Sequence, residues 1–293
     1  VGQGSSSGST DARTSSFNLG AGKLDVTTLN VGLGGSGAGG GGSGILNVTG
    51  GTLIANSLGL GLAGGGGGAA VTAGALNLTN ATLVLSNGIS VGAATAGGTL
   101  SVSASAVNLV QGAIGSLAAP LTVLNLDGGT LQLGVDGNSS VARIVAAAVT
   151  IGAPTTVNLV SITNVSSAVQ VPLMSYGGSN PYSGLTLGTY PSGYTVTLVD
   201  NVANGSIDAS IVPAVKPSPR ITSIFISGAT LTLQGTNGFP NGSFVLLGST
   251  NVAQSLSLWT PLVTNGFGPD GSFNLNTNII NPAVLQQFYI LSQ

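Results

Sequence analysis

Residues 46–62 read LNVTGGTLIANSLGLGL, and this stretch decides the fold. Leu46 and Val48 alternate with Asn47 and Thr49, and Gly50-Gly51 interrupts. Leu53 and Ala55 alternate with Thr52 and Ile54, and Asn56-Ser57 interrupts again. Leu58, Leu60 and Leu62 then alternate with glycines. Period-two alternation broken by turn residues every few positions predicts three short strands joined by tight corners. One such unit has too little apolar surface to stand alone, whereas copies stacked on one another enclose a continuous core.

The copies are there. LNVGL at 29–33 aligns with LGLGL at 58–62 and ISVGA at 89–93. LNV at 46–48 aligns with LNL at 76–78, LSV at 100–102 and LNL at 124–126. TLIA at 52–55 aligns with TLVL at 82–85 and TLQL at 130–133. Successive copies lie roughly 24 to 31 residues apart, the length of one solenoid coil. The pattern predicts a parallel β-solenoid (β-helix) over residues 17–212. The rows Leu46/Val48, Leu76/Leu78, Leu124/Leu126, Leu53, Leu83/Leu85, Leu131/Leu133, Leu58/Leu60 and Ile89/Val91 point inward, and Asn47 and Gln132 point outward. Gly-rich insertions follow each copy of the first set, at 34–44, 63–74 and 94–98, so they are expected to stack along one edge. Residues 141–151, VARIVAAAVTI, are helical by propensity, but their Val and Ile content beside a solenoid predicts strand, ended by Pro154.

Composition limits what such a chain can do. Of 293 residues, 42% are apolar but only 4% aromatic and 4% charged, so the core is thin and aliphatic. Five basic residues against seven Asp leave no basic patch for nucleic acid or an anionic membrane. No apolar run approaches the ~18 residues of a membrane helix, so no membrane insertion is expected. With no Cys and no His, neither a disulfide framework, a thiolate site nor a histidine zinc site can form. Low charge with abundant Gly, Ser, Thr and Asn suggests an extracellular or cell-surface protein.

Four segments follow. Residues 1–16 are polar and Gly/Ser-rich, and the solenoid covers 17–212. Residues 213–220 carry Pro213, Pro217 and Pro219 and read as an extended linker. Residues 221–293 hold eight of the thirteen aromatics, which a small compact core needs. Asn-Gly pairs at 237, 241 and 265 and Asp270-Gly271 supply hairpin turns. Strands near 222–227, 229–234, 243–249, 259–264, 271–276 and 286–292 predict a small antiparallel β-sandwich.

LTLGTYPSGYTVTLV at 185–199, ANGSID at 203–208 and the GGTL signatures at 50–53 and 128–131 are similar to proteins with autotransporter-associated β-strand repeats. That resemblance spans about residues 45–212. It implies a right-handed parallel β-helix exported to the cell surface, without catalytic residues. GTNG at 235–238, WTPL at 259–262 and the terminal QQFYIL resemble a C-terminal module of secreted proteins from Verrucomicrobia-like bacteria.

Some β-helices are polysaccharide lyases or glycosidases, so carboxylates on one face require scrutiny. Asp127 and Asp136, with Arg143 beyond, are the nearest to such a set, yet each Asp directly precedes a Gly and reads as a turn residue. Asp200 and Asp208 read as loop residues. Seven N-x-S/T sequons, at Asn47, Asn77, Asn80, Asn138, Asn164, Asn204 and Asn241, read as solenoid turn positions. Tyr176, Tyr182, Tyr190 and Tyr194 are expected to cover the C-terminal end of the core. The isolated pairs Thr195/Thr197 and Thr230/Thr232 do not build the regular ladder of an ice-binding face.

No enzymatic activity, cofactor or metal is expected. The expected role is structural: a subunit of an extracellular bacterial filament or surface layer, self-associating head to tail. Open solenoid ends and strand addition by the N-terminal segment would make the joint, with only Lys23 and Asp25 to block the first edge. A surface adhesin or passenger domain that binds glycan is the alternative.

Overall fold

The computed structural model describes residues 1–2, 13–34, 41–63, 72–92, 97–214 and 217–293. The interiors of the three Gly-rich insertions, residues 3–12 and linker residues 215–216 lie outside them. The chain is all-β and divides into two units, Val1–Pro213 and Ala214–Gln293.

The first unit is a β-solenoid of about five turns. Each coil contributes strands to three parallel faces. The first face stacks Arg13–Leu19, Gly42–Thr49, Ala73–Thr79, the first half of Gly97–Leu109, the first half of Val123–Asp136, and Val149–Ala153. Like sits on like: Leu46 pairs with Leu76, Leu76 with Leu100 and Leu100 with Leu124. All four are at most 1% exposed. On the second face Leu53, Leu83, Val107, Leu131 and Val157 form the same kind of inward column. On the third, Leu58, Ile89, Ile114, Ile144 and Met174 do so. Every inward residue expected from the alternation is buried, while Asn47 and Gln132 face out. The register follows because a shift of one residue would carry the whole Leu/Val set to the solvent side.

The corner from the first face to the second has one requirement. Thr49, Thr79, Ser103 and Asp127 are in register. The residues that follow them, Gly50, Asn80, Ala104 and Gly128, all have positive φ, at 71°, 48°, 45° and 75°. A left-handed residue turns the chain there in these four coils. Gly and Asn accept that conformation readily, and alanine does not.

Where the third face returns to the first, the walls converge until backbones touch. A Cβ on Gly74 would fall on the carbonyl oxygen of Val31 and the amide nitrogen of Gly61, residues of the two preceding coils. The chain leaves the third face at this corner after Leu33, Leu62 and Val91; the expected stacking of the insertions lies outside the described residues.

The two ends of the solenoid differ. At the N-terminal end, the Val1 ammonium donates to Asn30 O at 2.9 Å. Gly32 N donates to Val1 O and Leu33 N to Gly2 O, each at 2.8 Å. Gly2 has the same left-handed φ, 66°, as Gly32 (70°) and Gly61 (60°), so these two residues repeat the end of the third face one coil earlier. The first strand starts at Arg13 rather than Phe17, because pairing with Gly42–Thr49 takes up the backbone of residues 14–16 although their side chains bury nothing. At the C-terminal end parallel stacking stops. Val169–Tyr176 pairs antiparallel with Ser206–Pro213, which pairs antiparallel with Tyr194–Asn201, closing the third face. Residues 141–151 hold two short strands, Ile144–Ala146 and Val149–Ala153.

The second unit has two three-stranded antiparallel sheets. One orders Arg220–Ser227, Thr230–Thr236 and Phe273–Asn278; the other orders Thr260–Gly266, Ser243–Ser249 and Phe288–Ser292. Leu231, Leu233, Phe244, Leu246, Phe267, Phe273 and Leu275 pack between them. The rings of Phe244, Phe267 and Phe273 lie 4.8–5.7 Å apart in tilted and edge-on arrangements, favourable quadrupole geometries.

Candidate functional site

The carboxylates are occupied individually, each by its own local partners. Asp127 accepts from Ser103 Oγ at 3.2 Å. Asp136 accepts from the Asn138 backbone N–H at 3.0 Å and from Asn164 Nδ2 at 2.9 Å. These bonds, the Asn138 one foremost, hold Asp136 below the ordinary carboxylate range, and the Arg143 charge adds to them. Arg143 is itself spent on backbone, donating from Nε to Gly134 O at 2.7 Å and from a terminal nitrogen to Gly112 O at 2.8 Å. It ties two coils together. Asp270 is lowered in the same way by the Ser272 hydroxyl and then the Ser272 N–H. Lys23 and Asp25 form an exposed 2.8 Å ion pair on the first coil. Among the described residues there is no group of three or more Asp, Glu, His or Cys side chains that could hold a metal.

The sequons divide into two kinds. Asn80, Asn164 and Asn241 have positive φ and are turn residues. Asn47 and Asn77 are not: they belong to an outward ladder on the first face. Asn47 Nδ2 donates to Asn18 Oδ1 at 2.7 Å, and Asn77 Nδ2 to Asn47 Oδ1 at 2.8 Å. Farther along, Asn125 donates to Ser101 Oγ at 3.2 Å and Thr150 to Asn125 Oδ1 at 3.0 Å. Turn chemistry misread these two asparagines, although the repeated Leu-Asn-Val/Leu triplet was the signal for a stacked row. The tyrosines also divide. Tyr176 and Tyr194 pack on the core, while Tyr182 and Tyr190 stay exposed. Burial, and secondarily the charge of Asp200, raises the Tyr176 phenol above its usual range.

Asp200 and Asp208 are not loop residues: both lie on strands of the antiparallel cap, Asp208 on the central one and 3% exposed. Ser206 Oγ donates to Asp208 Oδ1, and Gln170 Nε2 and Asn201 Nδ2 both donate to Oδ2, each at 2.7 Å. It lies in the wall of a cleft of about 550 Å³ that also includes Leu117, Val141, Ser175 and Asn204.

Several strands pair on one side only among the described residues, and two of these carry large apolar side chains more than 40% exposed. Among the described residues Arg13–Leu19 pairs on one side only, with Gly42–Thr49. Phe17 on it is 45% exposed, and Leu19, Leu24, Val26 and Leu29 beside it are only partly covered. In the second unit Arg220–Ser227 is an edge strand exposed along its whole length, with Ile224 at 60%, Phe225 at 64% and Ile226 at 53%. Ile224 and Ile226 pair with Leu233 and Leu231, so they prolong the row of core residues past the cover of the opposite sheet.

Comparison of the chain with protein-family models, curated proteins and solved structures found no match.

Proposed function

We propose that this chain is a structural subunit of an extracellular bacterial filament or surface layer, and that subunits join head to tail. The observation that carries the proposal is the pair of unblocked edges, one in each unit. Unpaired N–H and C=O groups on a flat strand are a template for another strand, and proteins that stay monomeric block them with charge, proline or a cover. Among the described residues no cover lies over Arg13–Leu19, and the Lys23–Asp25 ion pair is its charged neighbour. Arg220–Ser227 carries one charge and four large apolar side chains.

The closed third face at the C-terminal end prevents one solenoid from simply continuing into the next. The joining strand is therefore Arg220–Ser227 of one subunit, added antiparallel to Arg13–Leu19 of the next. In that sense Arg220 lies opposite the Leu19 end, away from Arg13. Ile224 and Ile226 then lie on the same face as Phe17 and Leu19, toward the Arg13 end of the strand. Two different surfaces meet, so the contact does not close on itself and propagates as a fibre. Of the N-terminal segment, residues 13–16 belong to the first face and Val1 and Gly2 to the third, while residues 3–12, the remaining candidate for an added strand, lie outside the described residues. Low net charge, absence of Cys and similarity to autotransporter-associated repeats support an extracellular setting.

The test is light scattering during size-exclusion chromatography over a concentration series. The native chain should grow in mass with concentration, and Ile224→Lys and Phe17→Lys should each hold it at one chain. A native chain that stays monomeric throughout refutes the proposal.

A further inference from the structure

We infer that the cleft around Asp208 is a binding site for a neutral saccharide. The argument starts from the carboxylate. A carboxyl group this buried often has a cationic partner, and among the described residues Asp208 has only neutral donors: one hydroxyl and two amides. Among the described residues Oδ2 accepts two hydrogen bonds and Oδ1 one, and Asp208 lines the cleft, so the second lone pair of Oδ1 is the acceptor left for a ligand. The amide nitrogens of Gln170 and Asn201 are committed to Asp208, which leaves their carbonyl oxygens as further acceptors. No basic side chain lines the cleft, so a phosphate, sulfate or carboxylate ligand has nothing to pair with.

The cleft wants hydroxyl donors on its polar side. Its lining is also apolar in part: Leu117 is 74% exposed and Val141 50% exposed, and Pro172 and Ala142 line it too. A bare cation has no use for that rim. A pyranose ring offers hydroxyls along its edge and a C–H face for the apolar residues, and about 550 Å³ accommodates one or two such rings. The site is rigid by construction, because Gln170, Asn201, Ser206 and Asp208 all sit on strands of the same antiparallel cap. Its lining shares no residue with Arg13–Leu19 or Arg220–Ser227. The inference stands or falls independently of head-to-tail assembly.

The experiment is saturation-transfer NMR on the full chain with glucose, galactose, mannose and N-acetylglucosamine as probes. Each is titrated up to about 50 mM, well above a millimolar Kd. At least one sugar should receive saturation from the protein. Asp208→Asn should weaken that sugar's binding by tenfold or more. Val141→Trp narrows the mouth from an exposed position, so it should block binding without disturbing the fold, and it decides the case if Asp208→Asn fails to fold. No transfer to any of the four sugars overturns the inference. So does binding that survives Val141→Trp unchanged, which would place the ligand elsewhere. A calcium-dependent rise in melting temperature that is lost in Asp208→Asn, without sugar binding, would replace the saccharide by a cation and equally overturn it.

Discussion

Ala104 is the one residue in the first-to-second corner that is neither Gly nor Asn, and replacing it tests whether that corner is understood. Its φ is 45°, its side chain is exposed, and its counterparts Gly50, Asn80 and Gly128 share the same left-handed backbone. Holding an L-residue with a Cβ in that region costs about 1–2 kcal/mol. Ala104→Gly removes this cost and gives up no packing. It also loosens the unfolded chain, which offsets about 0.4–1 kcal/mol. The balance is a stabilisation of about 0.5–1 kcal/mol. The mirror change is Gly128→Ala. A Cβ there meets nothing nearer than Ala153 Cβ at 3.9 Å, so space is not at issue and only the φ of 75° opposes it. That change should destabilise by about 1–2 kcal/mol, reduced at most by the smaller entropy gain in the unfolded chain. Urea unfolding followed by circular dichroism measures both, read from the midpoint at constant m. If Ala104→Gly lowers stability, or Gly128→Ala leaves it unchanged, the left-handed corner does not govern the coil.

Other changes probe other parts of the account. Gly74→Ala drives a Cβ into backbone of two neighbouring coils, which no side-chain rotation can relieve, and should cost about 3 kcal/mol or more, seen as insoluble or unfolded product. Leu100→Ala, in the centre of the first inward column, should cost about 2–5 kcal/mol in the same urea assay. Asp136 has a folded pKa depressed below its ordinary 3.8, so its contribution is present above that value and disappears as pH falls through the lower folded value. Asp136→Asn should therefore lose stability relative to the native chain at pH 6 and lose less of it at pH 3, in paired thermal melts. Tyr176 has a raised folded pKa, so its neutral form favours the fold, and this contribution is fully present below its ordinary value near 10 and lost as pH rises through the folded one. Tyr176→Phe should accordingly flatten the decline in stability between pH 9 and pH 12.

What could be seen in the sequence follows from what repeats. Leu46, Leu76, Leu100 and Leu124 recur at coil spacing with turn residues between them, so faces, register and core were legible before any coordinates. The strands of the second unit were legible because Asn-Gly and Asp-Gly pairs punctuate aromatic runs. Features made once were not. Ala104 carries no chemical mark of a left-handed backbone; only its alignment with Gly50 and Gly128 reveals it. The Asp208 cluster joins Gln170 to a residue 38 positions later through antiparallel pairing that the repeat does not encode. The exposure of Arg220–Ser227 was equally hidden, since RITSIFIS reads as a buried strand, and only its place at the edge of a three-stranded sheet uncovers it.

The most direct test of the head-to-tail account is electron microscopy of the native chain concentrated to the point where light scattering shows growth. The account predicts unbranched filaments one subunit wide. It also predicts that adding Ile224→Lys chains, which keep an acceptor edge but carry a disabled donor strand, shortens them in proportion to the amount added. Compact closed dimers, or single particles at every concentration, would contradict it.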